Sequence, residues 1–135
     1  MSPLIATRTM NPPRVERLAP RHRMRSARDF AAVRESGTAY RGRCCLLLAL
    51  PSPGEVTRLG WIASKRGVGG AVQRNRARRR IREIVRRRWP RIPHEGFLLV
   101  FIASRTALTA PHQQLATEVE GLLALAGAIA PAVVG

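Results

Sequence analysis

The side chains with the greatest chemical capacity lie in "RNRARRRIREIVRRR", positions 74–88, where nine of fifteen residues are arginine. A guanidinium is planar, permanently charged and able to bond two phosphate oxygens at once or to stack on a base, so arginine at this density suits a phosphate polymer. Groups that could instead make and break bonds are scattered. His22, His94 and His112 are far apart with no metal-ligand spacing, the carboxylates form no evident pair, and "GVGG" lacks the Gly-Lys-Ser/Thr of a phosphate loop. The sequence therefore assigns no catalytic residue and no metal ligand, and it gives those glycines the task of leading the chain into a helix.

The bias extends to the whole chain: 24 Lys plus Arg oppose 8 Asp plus Glu in 135 residues, a formal net charge of +16, and Lys65 is the lone lysine. Such a molecule attracts nucleic acid or an anionic membrane surface, and the choice of Arg over Lys favours nucleic acid. The length suits one domain with one core. The longest apolar run, "LLALAGAIAPAVV" from Leu122, falls short of the ~20 residues of a spanning helix and contains Pro131, so no membrane anchor is expected. Cys44 and Cys45 are adjacent, and in a strand they would leave on opposite faces, a poor disulfide pair. With no other cysteine and no secretory apolar region near the N-terminus, a cytoplasmic location is expected. The prolines of "SPLIATRTMNPPRVERLAPRHR" argue against the amphipathic helix of a mitochondrial presequence.

Elements must hold the arginines in place. Residues 1–23, rich in proline and charge, read as a flexible basic arm, residues 24–128 as a nucleic-acid-binding domain and residues 129–135 as a tail. "SARDFAAVRESG" predicts a first helix, with Ser26 as N-cap, Phe30 and Val33 on its apolar face and Gly37 as the stop. "RCCLLLAL" and "RLGWIAS" predict two strands joined by a turn of "PSPGEVT" and paired antiparallel, with Trp61 in the core. The arginine segment follows and ends at "WPRIPHEG", because Pro90 and Pro93 cannot continue a helix; Trp89 is expected to pack as its cap. "FLLVFIAS" predicts a central strand, and "HQQLATEVEGLLALAG" a last helix with Leu115, Val119, Leu122 and Leu123 on one face.

At about 100° per residue, Ala77, Ile81 and Ile84 fall within about 60° of arc, flanked by Val85. That stripe docks the helix on the sheet, and the opposite side presents Asn75, Arg78, Arg79, Arg82 and Arg86, with Arg74, Arg76 and Arg80 on the shoulders. Like charges at this spacing cost a helix a few tenths of a kcal/mol per pair. A bound polyanion removes that cost.

The run "SKRGVGGAVQRNRARRRIRE" resembles the signature of the bacterial ribonuclease P protein subunit family, through Ser64, Lys65, Arg66, Val68, Gly69, Ala71, Val72, Arg74, Asn75, Arg76, Arg79, Arg80, Arg82 and Glu83. "RMRSARDFAAVRESGTAYRG" extends the likeness to the family's first helix. The resemblance implies an α+β fold, a single small domain ordered helix-strands-helix-strand-helix around a central sheet with a left-handed crossover. It also implies a function, assisting a catalytic RNA subunit in removing the 5′ leader of precursor tRNA, with Mg²⁺ held through the RNA and one protein per RNA. On that footing Arg74, Asn75, Arg76, Arg78, Arg79, Arg82 and Arg86 bind the catalytic RNA. Phe30, Arg34, Tyr40, Lys65 and Arg66 meet the leader. Two departures stand out: Gly67 is an extra residue before the Val-Gly pair, and Arg34 occupies the usual place of a second aromatic.

A ribosomal or RNA-chaperone protein without associated cleavage shares the charge and the helix, but it leaves the ordered signature unexplained. A DNA-binding helix-turn-helix would show a short helix just upstream, where this sequence predicts strands. Neither DNA nor a membrane is an expected partner.

Overall fold

The most apolar stretch of the chain sets the centre of the fold. The protein is described by a computed structural model over residues 18–131. Its elements are α1 (Ala27–Ser36), β1 (Thr38–Arg41), β2 (Cys45–Val56), β3 (Arg58–Ile62), α2 (Ala71–Arg88), β4 (Glu95–Ala103), a short α3 (Thr106–Thr109) and α4 (His112–Leu125), with single 3-10 turns at Pro20–His22 and Trp89–Arg91. The sheet order is β1-β2-β4-β3. β1 and β2 are antiparallel, as are β2 and β4, while β3 runs parallel to β4 and is joined to it by the α2 crossover. This is the expected helix-strands-helix-strand-helix order, with β1 and α3 added.

The expected antiparallel pairing of the second and third strands is overturned. β4 lies between them, pairing Leu48 with Val100 on one side and Gly60 with Val100 on the other. The reason is burial: β4 is apolar on both faces, with Leu98 to Phe101 all buried, and an inner position gives both faces a covering layer. Nor is "PSPGEVT" a tight turn. β2 runs on through Pro51 and Pro53 to Val56, with an irregular register between Ser52 and Val56.

The sheet separates two apolar clusters. On one face Leu47, Ala49, Leu59, Leu99 and Phe101 meet Ala77, Ile81, Ile84 and Val85 of α2 and Leu115, Val119, Leu122 and Leu123 of α4. Both helical stripes are those the spacing predicts. On the other face Met24, Val33, Leu98 and Val100 are buried, while Phe30, Leu48, Leu50, Ile62 and Ile102 are only partly covered. Among the described helices α1 is the one packed on that face, with Met24 beside it, so a strip stays open next to the helix. Ser26 caps α1 as predicted, its Oγ accepting from the backbone N–H groups of Arg28 (3.1 Å) and Asp29 (3.4 Å).

The boundary at residue 24 moves. Residues 18–24 are built into the fold: Leu18, His22 and Met24 are buried, His22 Nδ1–H donates to the Thr57 carbonyl (2.7 Å), and the Met24 N–H donates to the Leu59 carbonyl (2.8 Å). The rest of the expected arm, residues 1–17, lies outside the described residues, as do residues 132–135 of the expected tail. At the other end Ala128 is buried and the Ala130 N–H donates to the Arg91 carbonyl (2.8 Å).

The cysteines also depart from expectation. Cys44 sits in a bend just before β2, so both thiols enter the same cluster instead of leaving on opposite faces. Both are free. Burial, reinforced by Glu118, pushes the Cys45 thiol up to about 12 and raises that of Cys44, which makes them inert packing groups. Glu118 fixes this corner by accepting from the backbone N–H groups of Arg43 (3.0 Å), Cys44 (2.7 Å) and Cys45 (3.0 Å).

Candidate nucleic-acid interface

The approach to α2 is shaped by backbone chemistry. After β3 the chain turns through residues 65–68, where Ser64 Oγ accepts from the Gly67 N–H (2.8 Å) and the Ser64 carbonyl from the Val68 N–H (2.9 Å). The additional Gly67 is absorbed in this turn. Val68 is buried as its anchor, and Gly69 takes φ +139°, a conformation that L side chains rarely adopt. Gly70 is then the N-cap of α2, which is the helix-leading role predicted for these glycines.

Along α2 the arginines divide into two sets. Arg80 donates to the carbonyls of Ala107 and Ala110 (2.7 Å each), tying the helix to α3. Arg88 and Arg91 both grip Glu120 of α4 (2.8 Å each), and Arg86 pairs with Glu83 within the helix. These side chains hold the structure together. Arg76, Arg79 and Arg82 are exposed along the outer side, with Asn75 beside them accepting from Arg78. Arg74 is half-buried, its Nε without a hydrogen-bond partner among the described residues. Of the seven residues assigned to catalytic-RNA binding, Asn75, Arg76, Arg79 and Arg82 are therefore exposed on the outer side of α2, Arg74 and Arg78 are half-buried at its margin, and Arg86 is engaged by the fold.

The Glu120 cluster gives a pH prediction. Hydrogen bonds from Arg91 and Arg88 hold its carboxyl down to about 2, against 4.5 for an ordinary glutamate. The folded value is the lower one, so the stabilisation is fully present above about pH 4.5 and is lost as the pH falls toward about 2. In urea melts across that range, the native protein should lose stability more steeply than Glu120→Gln, and the two curves should converge at the acid end.

The residues assigned to the leader do not all come together. Phe30 and Arg34 are one turn apart on α1. Phe30 lies against Gly60 of β3 so closely that a Cβ there would sit 2.8 Å from its ring, and Arg34 is exposed. Lys65 and Arg66 are exposed in the turn after β3. Tyr40 is on the other side of the sheet: it pairs with Leu47 in register and packs against the α2 and α4 cluster. Strand alternation causes this, because Ala39 and Arg41 take the α1 face and Tyr40 the opposite one.

The sequence reading also missed a basic surface. Arg21, Arg23, Arg25, Arg28 and Arg58 surround an open depression of about 570 Å³, partly countered by Asp29 and Glu55. Its signal was present in "RHRMR", where exposed Arg21, Arg23 and Arg25 alternate with buried His22 and Met24 in the two-residue period of extended chain. Trp89 is the packed cap predicted, stacked on His94 at 4.3 Å with His22 edge-on at 4.8 Å. Trp61 is only half-buried, lying offset-parallel to Phe101 at 5.6 Å.

A small α+β domain with a ridge of arginines on its crossover helix defines a polyanion-binding protein, and comparison with known proteins makes the class specific. The Ribonuclease P family model matches residues 18–127. The ribonuclease P protein component of Chloroflexus aurantiacus is 40% identical over 103 residues, 76% of this chain and 75% of that protein. That of Symbiobacterium thermophilum is 38% identical over 107 residues, 78% of this chain and 91% of that protein. Among solved structures, the RNase P protein of Staphylococcus aureus superposes with a TM-score of 0.70 at 24% identity, over 81% of this chain and 98% of that one. The Thermotoga maritima protein gives 0.66 at 27% identity, over 76% and 96%. This chain belongs to the ribonuclease P protein family.

Proposed function

We propose that the chain is the protein subunit of ribonuclease P, which binds a catalytic RNA and the 5′ leader of precursor tRNA and assists Mg²⁺-dependent removal of that leader. The observation that carries this reading is the α2 ridge, in a member of this family: Ala77, Ile81, Ile84 and Val85 are buried, so Arg76, Arg79 and Arg82 are held outward on a rigid helix instead of on a mobile tail. The RNA supplies the bond-breaking step and its metal. Asp29, Glu55, Glu83 and Glu120 are taken up by arginines and Glu118 by backbone amides, so these carboxylates are committed to the protein's own structure. One protein serves one RNA, in the cytoplasm. A ribosomal or RNA-chaperone role fits the charge but not a family match across residues 18–127.

For the leader, the open strip beside α1 is the favoured site, with Phe30 as the aromatic face, Arg34 beside it, and Lys65 and Arg66 as cations; Tyr40, across the sheet, has no part in it. Reconstitution with the cognate catalytic RNA is the test. The protein alone should cleave nothing, and adding it should lower the Mg²⁺ requirement for precursor tRNA cleavage. Phe30→Ala and Arg34→Ala should weaken binding of precursor tRNA much more than of mature tRNA, by about 1–3 kcal/mol for a lost stacking face, and the Arg34 contribution should fade faster with salt. Cleavage by the RNA-free protein, or equal losses for both tRNAs, would be the contrary result.

A further inference from the structure

The ridge on α2 and the depression at the start of α1 are on different elements, yet a second groove joins them. It has a volume of about 260 Å³ and is lined by Arg23, Met24, Arg25, Leu59, Trp61 and Arg82. Arg23 and Arg25 also line the larger depression, and Arg82 belongs to the ridge. The groove runs along β3, the edge strand of the sheet. The segment before α1 covers that edge at Leu59, where it forms a single parallel bridge from Arg23. Beyond it is Trp61, whose side chain is on the α2 side of the sheet with Leu59, opposite to Gly60 and Phe30. The groove thus opens around the β3 edge, with Trp61 on the side opposite to Phe30 and the strip beside α1.

The side chains here are those that grip a single strand of nucleic acid. Such sites combine an aromatic face for a base with cations along the backbone, and the stack tolerates any base. Trp61 rests on Phe101, so its ring is already held in place and little freedom is lost on binding. Three arginines flank it and, among the described residues, no carboxylate lines the groove, so the charge complements phosphate. A duplex is a poor fit, because its bases are stacked on one another and offer no free face to the indole.

We propose that the β3-edge groove is a nucleotide subsite for unpaired RNA, with a base against Trp61 and the flanking phosphates on Arg23, Arg25 and Arg82. It would make the basic surface continuous from α2 to the start of α1. The proposal rests on the RNA-binding reading above and adds to it a place and a preference for single strands.

The test uses the full-length protein with two labelled probes, a short oligouridylate and a short RNA duplex, read by anisotropy together with tryptophan fluorescence. Oligouridylate should quench the fluorescence, since Trp61 is the half-buried tryptophan and Trp89 is buried. Trp61→Leu should weaken oligouridylate binding about tenfold and leave duplex binding nearly unchanged. Trp61→Phe, which keeps an aromatic face, should retain the affinity and lose the quench. The double variant Arg23→Gln, Arg25→Gln alters exposed side chains and should weaken the same probe with a flatter salt dependence, which keeps the test decisive if Trp61→Leu does not fold. If Arg79→Gln weakens binding while the Trp61 and Arg23/Arg25 variants do not, the groove is not a subsite and the RNA-binding reading survives. If none of them weakens binding, both fall together.

Discussion

Ile81→Ala should destabilise the protein by about 2–5 kcal/mol, the largest effect expected of any single substitution in α2. Ile81 is 1% exposed and lies in the cluster that joins α2 to the sheet and to α4. Truncation removes the transfer energy of the lost carbons and leaves a cavity that a helix held on either side of Ile81 cannot easily close. Arg80, just before it, is tied to the α3 carbonyls, and Arg88, two turns later, to Glu120. Urea denaturation followed by circular dichroism would measure the loss. Arg79→Ala, two positions earlier and exposed, should stay within about 0.5 kcal/mol of the parent. The opposite ranking would mean that the faces of the helix are exchanged.

Binding should show the reverse order. Arg79→Ala and Arg82→Ala each remove an outward guanidinium, and a charged hydrogen bond contributes about 1.5–3 kcal/mol, so affinity for the RNA subunit should fall about tenfold or more per substitution. Each phosphate contact releases counterions, so the full ridge should give a log–log salt slope near about −5, flattened by about one unit per arginine removed. Filter binding or anisotropy across a salt series separates these effects. Arg80→Ala and Arg88→Ala supply the contrast: both carry the same formal charge, but their guanidinium groups are spent on Ala107, Ala110 and Glu120. They should lower the melting temperature more than they change the salt slope. If all four variants flattened the slope alike, net charge and not the ridge would be the binding determinant.

Local chemistry determined much of this protein from its sequence alone. The period of Ala77, Ile81, Ile84 and Val85 fixed which side of α2 is buried. Ser26 fixed the start of α1, the prolines after Trp89 fixed the end of α2, and the signature around Arg74 to Glu83 pointed to the family. Each of these depends on a few neighbouring residues, and an apolar stripe at helical spacing has one way to be buried. What only the tertiary structure decided is whatever depends on which neighbour a segment meets. "RLGWI" could not state that it would be an edge strand parallel to β4, because a strand's hydrogen bonds are the same whichever strand supplies them, and the competition for the inner position was settled by the greater apolar burial of β4. "RHR", residues 21–23, looked like part of an arm because His22 finds its partner, Thr57, only after folding. The same holds for charge: the nine arginines of residues 74–88 are alike in sequence, and the positions of Glu83, Glu120 and the α3 carbonyls decide which are structural and which remain for a ligand. Tyr40 was misplaced because strand register sends alternate residues to opposite faces, and register is set by the partner strand; Trp61 does face the core, but on the edge strand β3 it is only half-buried.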